Sequence, residues 1–170
     1  MSSHYERELK GIFEGDQVLL EKITKRCTPQ EKDNFYAVIK KRFIVVRAAG
    51  SLGVDLVALR GDVSFLVEIK SSVQDTLHFS SVGGKLQQQA LAMQQDCVTT
   101  KTLPIYAFRL KNAPTGDSWR LFTMQVPGLE GRLQVLSKRL PLLQQSKQGS
   151  YIMRWHEGLP LSDFIAYLCK

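Results

Sequence analysis

The stretch that most constrains this chain is GVDLVALRGDVSFLVEIKSS, residues 53–72. Two β-rich apolar runs flank the pair Gly61-Asp62, which reads as a tight hairpin turn. Yet the hairpin carries charge where a strand interior is ordinarily apolar. Asp55 opens the first run, and Glu68 and Lys70 sit inside the second. Side chains two apart share one face of a strand. Glu68 and Lys70 therefore point one way, and Phe65, Val67 and Ile69 point the other way, into a core. Asp55 lies six residues before Gly61, and Glu68 lies six after Asp62. Antiparallel pairing about that turn sets the two carboxylates nearly opposite each other.

Like charges that close repel unless a cation lies between them. Mg²⁺ suits the place, because one or two protein carboxylates hold it and it keeps several waters. Its open positions can take a phosphate oxygen and an attacking nucleophile. Lys70 beside it would orient the attacking water, or offset charge growing on the phosphate. The bland alternative is an exposed hairpin with a Glu68–Lys70 ion pair and Asp55 in a loop. The apolar context of both runs and the antiparallel count favour the metal site.

The rest of the chain alternates helices with strands. Residues 3–13 place Tyr5, Leu9, Ile12 and Phe13 at helical spacing, with Ser2 or Ser3 as cap. Residues 15–41 read as further helix: Asp16 is a candidate N-cap, and Thr28, Pro29 and Glu31 form a capping-box signature. Phe35, Val38 and Ile39 would be its buried stripe. Strands follow at residues 42–50, in the hairpin, at 103–111 and at 119–126. A helix within GGKLQQQALAMQQDC would pack Leu86, Ala90, Leu91 and Met93 or Gln94 on the sheet. Residues 129–143 suggest a helix that Pro141 ends, and PLSDFIAYLCK a final one. Together these predict one α/β domain over 1–170, a central mixed sheet flanked by helices. Tyr106, Phe108 and Trp119 fall on strands and are expected in the core.

Composition sets the class. With 44% hydrophobic residues in 170, the chain can bury a proper core. No apolar run nears the roughly 18 residues a membrane span needs, and the first residues lack a signal-peptide core. Three scattered cysteines, Cys27, Cys97 and Cys169, argue for a reducing cytoplasm. His4, His78 and His156 show no ligand spacing with them. The net charge of +7 favours a polyanionic partner such as nucleic acid.

The combination VVRAAGSLGVDLVAL, then LVEIKSS, with ERELK in the first helix, resembles the archaeal Holliday junction resolvases of the PD-(D/E)XK nuclease superfamily. The resemblance covers residues 3–14 and 42–126. It implies a restriction-endonuclease-like core carrying an extra helical insertion at 15–41 and a helical C-terminal extension at 127–170. It further implies a Mg²⁺-dependent endonuclease, with Mn²⁺ able to substitute, that cuts four-way DNA junctions as a symmetric homodimer in the cytoplasm, with the nucleoid. Asp55 and Glu68 would be metal ligands, with the Ile69 carbonyl a third. Lys70 would be the catalytic lysine. Glu6, just before Arg7, would join as a further ligand, with Glu8 the alternative. Ser51, in the Gly-containing loop, would be catalytic and touch the DNA backbone. Lys85 and Gln88 would face phosphate from the start of a helix. Val54 stands where the superfamily's proline would be, a position that makes no ligand bond. Arg7, Lys40, Lys41, Arg42, Arg47, Arg60, Arg109 and Lys111 are candidates for the DNA path. Two rival readings remain: a repair- or restriction-type nuclease on mismatches, flaps or linear duplex, and a non-catalytic junction-binding protein.

Overall fold

A computed structural model describes residues 3–48, 53–79 and 83–170. Helix α1 (Ser3–Phe13) ends at Gly15, whose φ of 72° lies in the left-handed region. A Cβ there would stand 3.2 Å from the Ile39 Cα, so a side chain is disfavoured on both counts. Residues 15–41 form short pieces: α2 (Gln17–Ile23), α3 (Pro29–Tyr36) and a 3-10 turn (Ala37–Lys40). Asp16 caps α2, its Oδ1 accepting from Leu19 N at 3.2 Å. The capping box of α3 is complete. Thr28 Oγ1 accepts from Glu31 N at 3.1 Å, and Glu31 Oε1 from Thr28 N at 2.9 Å. Thr28→Ala is expected to cost about 1 kcal/mol, read by denaturant unfolding.

The strands are β1 (Ile44–Arg47), β2 (Leu56–Leu59), β3 (Ser64–Ser72) and β4 (Thr76–His78). After α4 (Lys85–Thr100) come β5 (Leu103–Leu110), β6 (Trp119–Thr123) and α5 (Gly131–Arg139). The chain finishes with β7 (Gln144–Gln145), β8 (Tyr151–Arg154), β9 (Leu159–Pro160) and α6 (Leu161–Cys169). The main sheet has the order β1-β2-β3-β5-β6-β9, with β3–β5 parallel and the other pairs antiparallel. The parallel step is the crossover through α4, as parallel neighbours require. A small second sheet, β4-β8-β7, was not expected from the sequence. The region after residue 126, read there as helical, therefore also supplies three strands.

Two apolar layers cover the two faces of the main sheet. On one face Phe65, Val67, Ile69 and Ile105 pack with Leu9 and Phe13 of α1 and Phe164 and Leu168 of α6. On the other, Tyr106, Phe108 and Phe122 pack with Ala90 and Met93 of α4 and with Tyr151 and Met153 of the small sheet. Leu91, expected in the packed stripe, is 47% exposed. Gln87 takes the inward position, because its amide bonds the small sheet's chain: Oε1 accepts from Tyr151 N at 3.0 Å. Among the described residues no helix is long and apolar enough to cross a membrane.

Candidate active site

The hairpin pairs as the turn dictates. Leu59 faces Ser64 and Leu56 faces Val67. One further step along the same register sets Asp55 opposite Glu68. Glu68 lies on the α4 face, level with Tyr106 of β5, and Lys70 follows two positions on, level with Phe108. The apolar residues that alternate with them, Val67 and Ile69, are fully buried on the other face. The alternation read from the sequence thus holds residue by residue.

Asp55 is anchored by backbone. Its N–H donates to Val67 O at 3.0 Å, and its Oδ2 accepts from Ile69 N at 2.7 Å. The N–H and C=O of a strand residue point to the same edge. The Ile69 carbonyl therefore also faces the β2 side, just beyond the first residue of β2, as a ligand there would need.

Glu68 is 7% exposed. Burial, a hydrogen bond to the Asp55 carboxyl and the Asp55 charge push its carboxyl up to about 8, against the opposing pull of Lys70. Burial, with Glu68, Tyr151 and Asp55 nearby, also raises the Tyr106 phenol. Shut away from solvent and pressed against Asp55, Glu68 thus keeps its proton near neutral pH. A divalent cation answers the same electrostatic need, so the residues present fit one.

Glu6 does not join this pair. Arg47 shares the strand face of Val45, the face that α1 covers, and its Nη2 holds Glu6 Oε2 at 2.8 Å. Glu6 is thereby kept on the face opposite Glu68. Among the described residues no three His, Cys, Asp or Glu side chains gather as a metal cluster. The alternative, Glu8, lies elsewhere again: it is buried, accepting from Trp119 Nε1 at 2.9 Å and Arg109 Nε at 3.1 Å. That bond ties α1 to β5 and β6. Ser51 lies outside the described residues.

The candidate cations divide similarly. Lys85 opens α4, capped by Gly84 and exposed; Gln88 is exposed and donates to Gly83 O at 3.2 Å. Because α4 runs back to the start of β5, beside Phe65, its own start lies at the Glu68 end of the sheet. Arg7 is exposed on α1, and Lys111 is half-buried, its N–H donating to Ser72 O at 2.8 Å just past β3. Lys40, Lys41 and Arg42 are exposed but precede β1, at the hairpin-turn end, away from Asp55. Arg60 is tied to Asp62 at 2.6 Å, to Leu168 O at 2.7 Å and to the face of Phe43. Arg109 is tied to Glu8. These two serve the fold.

No family model and no curated protein matches the sequence. Among solved structures it is similar to the Holliday junction resolvase Hjc of Archaeoglobus fulgidus, an archaeal hyperthermophile. The TM-score is 0.50 at 18% identity, over 85% of this chain and 95% of that one. The chain shares that resolvase's fold. In this fold the Asp55–Glu68–Lys70 face stands at the open end of the sheet, where β2 begins, β3 nears its end and α4 starts. Sequence reasoning missed Tyr106 as a neighbour of the site. Its level with Glu68 follows only from the parallel β3–β5 register, which no local pattern encodes.

Proposed function

We propose that the protein is a Mg²⁺-dependent, structure-selective DNA endonuclease that resolves four-way junctions as a homodimer. The observation that carries this reading is the Asp55–Glu68 pair, two adjacent carboxylates with Lys70 beside them on one sheet face. Asp55, Glu68 and the Ile69 carbonyl would hold the ion, a set within the one or two carboxylates Mg²⁺ usually takes. When bound, Mg²⁺ supplies a Lewis acid beside the scissile phosphate and lowers the pKa of water there. The chain's own contribution is position and charge. The Ile69 N–H fixes Asp55 through Oδ2. Burial of Glu68 keeps its carboxyl directed at Asp55 rather than at solvent. Lys70 orients the attacking water or offsets the charge that grows on the phosphate. Hydrolysis in line would leave a 5′-phosphate and a 3′-hydroxyl, and two symmetric nicks would release two duplexes.

The likeness to the Archaeoglobus resolvase supports the junction as substrate over other DNA. Digestion of a four-way junction beside a duplex of the same sequence, with Mg²⁺ and with chelator, tests it. Junction-selective, Mg²⁺-dependent nicking is expected. Equal rates on the duplex would instead favour a repair- or restriction-type nuclease, and tight binding without any cutting a non-catalytic binder. Lys70→Ala is expected to bind the junction and to cut about 10²-fold more slowly in single turnover, the scale of one lost electrostatic contact.

A further inference from the structure

A cavity of about 500 Å³ opens between α1, the α2–α3 connection and the β5–β6 loop. Its acids are committed inward. Glu8 is held by Trp119 and Arg109. Asp117 accepts from Trp119 N at 3.0 Å and Ser162 N at 2.7 Å. Arg26 reaches the Pro114 carbonyl, and its own carbonyl accepts from Gly116 N at 2.9 Å, which fastens the α2–α3 connection to the loop. Lys22 and Lys25 differ. Both line the cavity and are exposed, and neither side chain has a hydrogen bond or ion pair among the described residues. The mouth thus presents two uncommitted cations over a polar cleft. Of the rings that line it, Trp119 and Phe35 are buried and offer no exposed face for base stacking.

The cavity belongs to the same end of the sheet as the Glu68 face. Phe108 stands level with Lys70, and Arg109, the next residue along β5, turns to the opposite face and lines the cavity. A DNA strand with its scissile phosphate at Lys70 would pass around this end toward Lys22 and Lys25.

We propose that Lys22 and Lys25 hold backbone phosphates of the DNA arm that leaves the cleavage site, so that the helical segment at 15–41 is a second DNA contact. This rests on the nuclease reading. Paired lysines bind phosphates as point charges, and each phosphate neutralised releases counterions, which makes binding steeply salt-dependent.

The test uses full-length protein carrying Asp55→Ala, bound to a four-way junction across a salt series. Adding Lys22→Ala and Lys25→Ala is expected to flatten the slope of log affinity against log salt by about 2, roughly 0.9 per phosphate. Arginine at both positions is expected to restore it. A slope unchanged by the alanine pair overturns the proposal while the nuclease reading stands. A parent protein that binds no DNA overturns the nuclease reading and this proposal with it.

Discussion

Asp55→Ala and Glu68→Ala are expected to bind a four-way junction about as tightly as the wild type and to cut it at least about 10³-fold more slowly in Mg²⁺. The two carboxylates sit on a half-buried strand face, so little of the DNA affinity should pass through them. That affinity comes from phosphate contacts to cations. Removing either acid takes away half of the pair that would hold the ion. Binding by gel shift in chelator, with single-turnover cleavage in Mg²⁺, separates the two effects. A variant that cuts at the wild-type rate would place the chemistry elsewhere.

The second large effect concerns stability, and its sign is opposite to that of activity. Glu68 titrates ordinarily near 4.5 and is pushed up to about 8 in the folded protein. Between those pH values the metal-free folded state keeps a proton that the unfolded chain has released. Stability therefore falls as pH rises through that window and levels off above it. Below it both states are protonated and the effect vanishes. Each pKa unit corresponds to about 1.4 kcal/mol. Glu68→Gln removes the charge while keeping the shape. It is expected to stabilise the chelator-treated protein at pH 8 by about 2–4 kcal/mol, or about 5–15 °C in Tm. The same variant should lose cleavage, and Mg²⁺ should stabilise the wild type but not the variant. Parallel unfolding profiles for the two proteins from pH 4 to pH 9 would show that Glu68 carries no such burden.

The pairing of Asp55 with Glu68 could be read in the sequence because both of its causes are local. A two-residue turn sets the register, and a period of two assigns the faces. The caps of α2 and α3 were visible for the same reason. What escaped depends on distant partners. Whether Arg47, Arg60 or Arg109 is free for DNA turns on Glu6, Asp62 and Glu8, two of them more than 40 residues away. Glu6 itself could not be placed, because nothing in ERELK says which sheet face α1 will cover. The small sheet was missed because β7 is two polar glutamines and β8 finds its other partner, β4, far back in the chain. Leu91, expected in the packed stripe, is exposed, and Gln87 is buried, for a related reason. A buried glutamine is stable only where a backbone such as that of Tyr151 offers it a bond.

One hydrogen bond has a consequence for how such a site tolerates change. At the end of β2 the ladder runs out of backbone, and the Asp55 side chain supplies the next rung to Ile69. The carboxylate proposed to hold the ion is thus also a piece of sheet. No separate loop stands between the core and the chemistry to absorb error. A packing defect that lets β2 slip against β3 would move Asp55 with it, and a slip of one residue would turn that carboxylate to the wrong side. Core substitutions on the α1 face, remote from any phosphate, would then register first as lost cutting, well before the protein unfolds.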